Sequence, residues 1–361
     1  MKSEKHPEEF FNHYISQKKA PGMQYIMIDS AQNIVYEFHD GYSDVGNKIP
    51  VEKNTVFRAY STTKTFTALA IMKLASAHNL RLSDPVTDYF DLPYEETITI
   101  HQILTHTAGL ANPFPKWIHY PDEHESFDYK KFTESLLKKY KKLKYEPGTK
   151  RRYSNLGFLI LGNVIENVTG MPYEQYIRDS ILSLLDISPS DIDFEYHDEK
   201  SYAKGYQKRF SLMNWMLNFI FDRDKLVEDK AGKWITLSRF YLNGPSYGGL
   251  MCSAKTLANY GVEYLKKNSS LVPVEIRKQM LKRVTLHKGD TVRQGISWMY
   301  REVENTSCWR HAGGGGGFNC DLRIYPEKGL VSVMMMNRTG TIKDMRMLDF
   351  IDPYFFNLDS K

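Results

Sequence analysis

The sequence predicts an α+β protein in which strands from both chain ends form one antiparallel sheet, flanked by helices, with a helical domain inserted between them. Residues 23–28 and 34–38 are rich in β-branched and aromatic side chains and flank a polar turn, as in a hairpin. Similar segments follow near the C-terminus, at 295–303, 307–310, 321–325 and 330–336. We therefore expect both ends of the chain in the same sheet.

The middle of the chain has mostly helical periodicity. The predicted helical segments are 65–78, a stretch around 100–104, 132–140, 156–168 and 256–266. The sequence contains no internal repeat and no Gly/Ser-rich linker. We predict a discontinuous sheet domain of residues 1–80 and 250–361 and an all-α domain of residues 81–249.

Composition narrows the functional classes. Hydrophobic residues make up 42% and charged residues 25% of the 361-residue chain, which is typical of a globular protein with a core. The net charge of +5 is spread along the chain apart from one short basic run at 138–144, so nucleic-acid binding is not expected. Three cysteines without a Cys/His cluster indicate neither a disulfide framework nor a metal site, and no cofactor is predicted.

The N-terminal residues contain no apolar run of signal-peptide length. We therefore expect either a cytosolic protein or an exported one whose leader has been removed. The most apolar stretch, 212–221, is about half the length of a bilayer span. No transmembrane segment is predicted.

The first candidate catalytic motif is Ser61-Thr-Thr-Lys64, just before an apolar run that begins at Phe66. Residues three apart share a helix face, so the Lys64 amine can lie within hydrogen-bond reach of the Ser61 hydroxyl. A partly desolvated lysine can take the serine proton. By itself the motif also fits an ordinary first helical turn with a solvated lysine.

The second motif is Tyr153-Ser-Asn155, between the turn Glu146-Pro-Gly148 and a predicted helix. A tyrosine at this junction can present its phenol to a pocket, where a neighbouring lysine cation would favour the phenolate and make it a base. The Asn155 amide can contact a substrate carbonyl and also bond to Lys64. A helix N-cap preceded by a packed aromatic residue is the structural alternative.

The third motif is His311-Ala-Gly313, which continues into Gly314-Gly-Gly-Gly317 and a predicted strand. Five successive glycines at a strand edge indicate that a ligand or another backbone comes close there. A free N–H on such an edge can form an oxyanion hole with the N–H of Ser61. A flexible turn and a phosphate site are the alternatives. The sequence after the glycines lacks the Lys-Ser/Thr of a P-loop, which argues against the phosphate site.

In this order and spacing, the three motifs resemble the serine beta-lactamase and penicillin-binding-protein superfamily, on the branch of class C beta-lactamases, D,D-peptidases and family VIII esterases. Further segments share the likeness, which covers roughly residues 10 to 350. They are 57–68, 82–86, 98–110, 146–149 and 248–253. The resemblance implies a beta-lactamase/D,D-peptidase-like fold with its site between the two domains.

The resemblance also implies roles for individual residues. Ser61 would be the acylated nucleophile, with Lys64 and Tyr153 as the proton-handling pair. The N–H groups of Ser61 and Gly314 would form the oxyanion hole. The implied substrate-binding residues are Asn155, His311 and Gly313. The expected partner is a small acyl substrate: an ester, a D-amino-acid peptide or a beta-lactam.

His311 departs from many beta-lactamases and peptidases of this kind, which have a lysine there. Histidine is cationic only below about pH 6.5 unless its environment changes this. The sequence therefore predicts a preference for neutral acyl substrates over carboxylate-bearing ones, varying with pH between about 5 and 8.

Two functional hypotheses follow: a serine hydrolase with an acyl-enzyme, or a catalytically silent ligand-binding or penicillin-sensing module on the same fold. The intact Ser61, Lys64 and Tyr153 favour the enzyme. Gly244-Pro-Ser-Tyr-Gly248 matches the G-x-S-x-G elbow of α/β-hydrolases, but the antiparallel pattern around it argues against Ser246 as a nucleophile. His101 and His106 are expected to cap or pack a helix.

Residues 207–243 form a possible apolar lid. Apolar side chains in 211–221 surround the predicted helix instead of forming one stripe, so the helix needs cover on more than one side. A buried helix and a lid over the cleft are both consistent with this pattern.

Overall fold

The computed structural model describes residues 6–113, 117–185, 187–198, 200–211, 214, 221–341 and 343–357. Its strands are β1 (Gly22–Asp29), β2 (Ile34–Asp44), β3 (Ile49–Pro50), β4 (Phe57–Arg58), β5 (Ile118–His119), β6 (Ile192–Asp193), β7 (Gly205–Lys208), β8 (Val227–Ala231), β9 (Trp234–Leu237), β10 (Tyr241–Leu242), β11 (Met251–Cys252), β12 (Met299–Val303), β13 (Thr306–Gly315), β14 (Phe318–Tyr325) and β15 (Leu330–Met336). Its helices are α1 (Pro7–Ser16), α2 (Thr63–Ser76), α3 (Ile100–Leu104), α4 (Tyr129–Lys139), α5 (Asn155–Thr169), α6 (Tyr173–Ser180), α7 (Arg223–Leu226), α8 (Pro245–Gly248), α9 (Ala254–Val262), α10 (Val274–Met280) and α11 (Leu348–Ile351).

The central sheet has seven strands in the order β12-β13-β14-β15-β1-β2-β3. Strands from the two chain ends meet where β1 pairs antiparallel with β15, from Met23 opposite Met336 to Asp29 opposite Leu330. The predicted α+β fold, with one antiparallel sheet built from both ends, is confirmed.

Both faces of this sheet are covered. Along β1, Met23, Tyr25 and Met27 pack into a core with α1 and α11. Ile26 and Ile28 point the other way, into the larger core that includes α2, α5 and α9. Successive strand residues alternate between faces, so the apolar run at 25–28 of β1 reflects burial on both sides.

The region between the sheet halves is mainly helical but also contains short strands. A two-stranded sheet joins β5 to β10, and a three-stranded sheet has the order β7-β9-β8. The expected all-α insertion therefore has some β content, since strands of two to five residues give little periodicity to detect. The boundaries at 80/81 and 249/250 remain a prediction. So does the lid, because residues 212, 213 and 215–220 lie outside the described residues.

Helix α2 lies in the interior between the sheet side and the inserted helices, and 11 of its 14 residues are buried. Phe66 stacks on Tyr260 of α9 with ring centroids 3.8 Å apart. On the other side, the Thr67 hydroxyl lies 2.7 Å from the Tyr173 hydroxyl of α6. The ten residues 63–72 of α2 are all buried, so Lys64 in the first turn lies in the core.

Asp352, just after α11, fixes the C-terminal segment to the sheet. Its carboxylate is fully buried. It accepts hydrogen bonds from the Tyr25 and Tyr325 hydroxyls at 2.9 and 2.6 Å, and from Ser332 at 2.7 Å. Removing the carboxylate leaves three buried hydroxyls without this acceptor.

We predict that Asp352→Ala lowers the free energy of unfolding by about 3 kcal/mol, because unsatisfied buried donors are costly. Urea unfolding followed by circular dichroism measures the change. The matched control is Asp91→Asn at an exposed carboxylate, for which we expect a change within about 0.5 kcal/mol. A similarly small effect at Asp352 would contradict this account of how the C-terminal segment is held.

Candidate active site

Ser61 lies in the 3-10 turn Tyr60–Thr62 that leads directly into α2. The preceding residue, Tyr60, has a φ of +46°, a backbone conformation that is uncommon for a residue with a side chain. Its hydroxyl donates to the Gly316 carbonyl at 2.6 Å, which ties the turn to the end of β13. The turn therefore holds Ser61 between the sheet edge and the start of α2.

The Ser61 hydroxyl has two functional neighbours. The Lys64 Nζ lies 3.2 Å from Ser61 Oγ. The Tyr153 hydroxyl donates to Ser61 Oγ at 2.7 Å. The structure thus brings together the three residues predicted as nucleophile and proton-handling pair.

The Lys64 amine is fully removed from solvent. It donates to the Tyr247 carbonyl at 2.6 Å and lies 5.0 to 5.5 Å from the ring centroids of Tyr153, Phe158 and Tyr247. Burial holds the pKa of Lys64 well below its usual value of 10.5, because desolvation disfavours the ammonium form. An uncharged amine keeps a lone pair, with which it can accept the Ser61 proton.

Burial also favours the neutral form of Tyr153. It raises the pKa of the phenol, while the hydrogen bond to Ser61 and the positive charge of Arg151 act in the opposite direction. The expected lysine cation beside a phenolate is therefore not what the structure contains. Lys64 and Tyr153 both favour their uncharged forms, because both are desolvated.

His106 holds the loop that carries Tyr153. The backbone N–H groups on either side, those of Arg152 and Ser154, donate to the His106 carbonyl at 2.8 Å and to its Nδ1 at 3.3 Å. The ring centroids of His106 and Tyr153 lie 4.5 Å apart. His106 thus packs as expected, but sequence reasoning missed that it positions Tyr153. The available signal was its place in the family-like segment 98–110.

Asn155 is the first residue of α5, and Ser154 caps this helix by accepting from the Gly157 N–H at 3.2 Å. The Asn155 backbone N–H donates to Asn112 Oδ1 at 2.9 Å. The predicted bond to Lys64 is not formed, because that amine donates to Tyr247 instead. Among the described residues, Asn155 Oδ1 is buried without a hydrogen-bond partner, which leaves an acceptor for a ligand.

The glycine-rich end of β13 lies against the Ser61 turn. Pairing with β12 ends at Met299 opposite Arg310, while β13 continues to Gly315. A Cβ on Gly313 would lie 1.9 Å from the Ala59 carbonyl oxygen and 3.1 Å from the Ser61 N. The close approach therefore requires glycine there, as the sequence predicted. The next residue, Gly314, is exposed.

His311 is almost completely buried, with 2% of its surface exposed. Its Nδ1 lies 3.1 Å from the Ala312 carbonyl oxygen. Burial lowers the pKa of His311 to about 3, because desolvation disfavours the imidazolium form. The expected charge change between pH 5 and 8 is therefore wrong. The imidazole is neutral throughout that interval, a result of burial that the sequence does not reveal.

Ser246 does not form a nucleophile elbow. It is buried, with 3% exposure, in the four-residue helix α8. Its carbonyl accepts from the Thr67 hydroxyl at 2.6 Å, and the next carbonyl, that of Tyr247, accepts from Lys64. The residues of the G-x-S-x-G match thus stabilise α2 by accepting hydrogen bonds from two of its side chains.

Two further observations concern the described residues. Within them, no group of three or more His, Cys, Asp or Glu side chains is arranged to hold a metal ion. Across the same parts of the chain, no helix has both the length and the apolar character of a membrane span.

Comparison with known proteins assigns the family. The Beta-lactamase family model matches residues 8–351. The chain belongs to the beta-lactamase family. The resemblance inferred from the sequence is therefore confirmed at the level of the family.

Curated relatives share moderate identity with this beta-lactamase family member. A beta-lactamase of Escherichia coli K12 is 26% identical over 361 residues, covering 90% of this chain and 86% of the relative. Protein flp of Staphylococcus aureus MW2 is 28% identical over 211 residues, which are 57% of this chain. The matched region spans 41% of that relative's length.

Solved structures of family relatives share the fold. The octameric penicillin-binding protein homologue of Pyrococcus abyssi has a TM-score of 0.74 at 24% identity, covering 92% of this chain and 72% of that one. The D-amino acid amidase of Ochrobactrum anthropi gives 0.76 at 17%, covering 98% and 97%. The class C beta-lactamase of Rhodobacter sphaeroides gives 0.74 at 18%, covering 97% and 99%. These likenesses support the fold.

The buried state of His311 makes a stability prediction. Its pKa is about 3 in the folded protein, against 6.5 for an ordinary histidine, so the unfolded chain binds a proton that the folded protein does not. Stability therefore falls as pH decreases below about 6.5, and this one group contributes about 2 kcal/mol of loss between about pH 7 and pH 5.

The measurement is urea unfolding of the wild type and of His311→Gln at both pH values. We expect the variant to lose about 2 kcal/mol less than the wild type over this interval. The quantity compared is the change in the free energy of unfolding between the two pH values, taken within each protein. This difference removes any constant effect of the substitution on stability. An equal change in the wild type and in the variant would show that His311 is not buried in its neutral form.

Proposed function

We propose that the protein is a serine hydrolase that forms an acyl-enzyme on Ser61. The observation that carries this proposal is the placement of Ser61 Oγ within hydrogen-bond distance of both the buried Lys64 amine and the Tyr153 phenol. A ligand-binding module has no need of a desolvated amine at a serine hydroxyl. A nucleophile needs one, because the hydroxyl must lose its proton as it attacks.

In the proposed first step, Ser61 Oγ attacks the acyl carbon and its proton passes to Lys64 Nζ. The bond to the leaving group then breaks, and Tyr153 gives its proton to the departing atom. The amine now carries one proton more and the phenol one fewer, and transfer between them restores both groups. In the second step, water takes the place of Ser61 as the nucleophile. It attacks the acyl carbon and gives a proton to Lys64, while Ser61 Oγ departs with the Tyr153 proton and the acid is released.

The oxygen of the tetrahedral intermediate needs hydrogen-bond donors. We assign this role to the backbone N–H groups of Ser61 and Gly314. The contact of Gly313 with the Ala59 carbonyl supports the assignment, because it brings the edge of β13 against the Ser61 turn. Donors fixed in advance at this position stabilise the developing charge.

The proposed substrates are uncharged esters or small amides, including amides of D-amino acids. The neutral state of His311 supports this class, since it provides no cation at the position where many relatives have a lysine. The unpartnered Asn155 Oδ1 supplies an acceptor for a substrate N–H. Beta-lactams carry a carboxylate, so we expect them to acylate Ser61 slowly.

We predict that Ser61→Ala abolishes both ester hydrolysis and covalent labelling by a fluorophosphonate, since Ser61 has the Lys64 amine and the Tyr153 phenol beside it. Ser246→Ala is the matched control at the second motif, and we expect labelling and turnover to persist. Intact-protein mass spectrometry reads the label. If only the Ser246→Ala variant lost labelling, the nucleophile would be Ser246 and the proposal for Ser61 would be wrong.

We also predict that selectivity between a neutral ester and its carboxylate-bearing analogue is independent of pH. The ratio of their kcat/KM values should change less than about twofold between about pH 5.5 and 8, because His311 stays neutral over this range. His311→Lys introduces a longer cationic side chain and should shift the ratio toward the carboxylate. A wild-type ratio that titrates near pH 6.5 would mean that His311 gains charge in the site.

A further inference from the structure

An exposed aromatic side chain lies at one end of the three-stranded sheet β7-β9-β8. Phe210 follows β7 by two residues and is 86% exposed. Across the described parts of the chain, no other large hydrophobic side chain is more than 50% exposed. Nearly all of this ring is therefore in contact with water.

The turn that carries Phe210 is fixed by hydrogen bonds. The Ser211 hydroxyl accepts from Gln207 Nε2 at 2.9 Å and donates to the Lys208 carbonyl at 3.0 Å. Asn214 Nδ2 donates to the carbonyl of the residue before Phe210 at 2.7 Å. An ordered turn thus presents the ring to solvent, and little conformational entropy is lost when the ring contacts a partner.

Four exposed basic residues surround this turn. Lys208 ends β7 beside the start of β9, and the Arg209 N–H donates to the Lys233 carbonyl at 2.9 Å. Lys233 lies in the turn between β8 and β9, and Lys230 lies in β8 just before that turn. We call these four residues and Phe210 the basic tip.

The positive charge of the basic tip is not neutralised by the acids of the same sheet. Glu228 of β8 pairs with Lys204 at 2.6 Å, at the opposite end of β7. Asp229 Oδ2 lies 3.8 Å from the position that a Cβ on Gly46 would take. Within the described residues, none of the four basic side chains of the tip forms an ion pair. The Arg209 guanidinium lies over the aromatic ring of the tip, 5.3 Å from its centroid.

We propose that the basic tip docks the protein on an anionic lipid bilayer, with the Phe210 ring at the boundary between headgroups and acyl chains. The negative surface potential of such a bilayer attracts exposed lysine and arginine side chains. The ring buries apolar surface at this boundary. A fluid bilayer accepts a single exposed ring, whereas a protein partner would need a matching pocket for it.

A second basic segment distinguishes charge from docking. Residues 138–144 contain five lysines, but none of the large hydrophobic side chains within this described segment is exposed. Charge alone would favour that segment, whereas charge combined with an exposed ring favours the basic tip. The tip also adjoins the candidate site, because the Tyr206 N–H of β7 donates to the Gly317 carbonyl at 3.3 Å.

The experiment is co-sedimentation with vesicles of equal parts phosphatidylglycerol and phosphatidylcholine. We expect the wild type to bind them in about 50 mM salt, and to bind far more weakly in about 0.5 M salt or to pure phosphatidylcholine. Phe210→Ser should raise the lipid concentration for half-maximal binding about fivefold. Lys208→Glu/Lys233→Glu should raise it more than about tenfold. Circular dichroism checks that each variant is folded.

Two control variants match these changes. Lys141→Glu/Lys142→Glu reverses the same amount of charge in the segment 138–144, and Phe350→Ser removes a ring of α11 that is 50% exposed. Both should bind like the wild type. Phe210→Cys carrying an environment-sensitive fluorophore reports insertion, since the three native cysteines are buried, and its emission should shift to shorter wavelength on vesicle binding.

Absence of wild-type binding to the anionic vesicles would overturn the proposal. Equal losses in the tip and control variants, unchanged binding by Phe210→Ser, or an unshifted fluorophore would also overturn it, because charge would then attract the protein without docking at this surface. Vesicle binding requires no turnover, so failure of the proposed hydrolase function would leave these results unchanged.

Discussion

The burial of one lysine amine determines the chemistry available at this site. Lys64 lies in the first turn of a helix that is enclosed by the sheet side and by the inserted helices, so its Nζ exchanges water for the Tyr247 carbonyl and three aromatic rings. Desolvation then lowers the pKa of Lys64 and favours the free amine. Because Ser61 lies three residues earlier, in the 3-10 turn that leads into this helix, the base and the nucleophile are brought together by local geometry alone.

The remaining parts of the site come from distant segments that meet at this turn. β13 reaches it because pairing with β12 stops at Arg310 and glycine allows contact with the Ala59 carbonyl. The Tyr153 loop reaches it because the His106 backbone and ring hold the loop on both sides. The candidate site is therefore formed by the sheet edge and the inserted region, and neither could form it alone.

Much of this arrangement was predictable from local signals. β-branched and aromatic composition identified six of the seven strands of the central sheet, hydrophobic period identified the main helices, and motif spacing identified Ser61, Lys64 and Tyr153 as candidates. Features that depend on tertiary burial were not predictable. The neutral state of His311 and the role of His106 follow from what packs around them, and the two-residue strands are too short to show a period. The G-x-S-x-G match misleads for the same reason, since only the surrounding topology shows that Ser246 is structural.

The central claim is that Ser61 is activated by a buried amine whose pKa is lowered by desolvation. The direct test is the pH dependence of the second-order rate constant for fluorophosphonate labelling of Ser61. The buried amine predicts a rate that reaches its plateau well below the usual lysine pKa of 10.5. A rate that keeps rising tenfold per pH unit to about pH 10 would show that Lys64 is an ordinary ammonium in the folded protein, and would contradict the account.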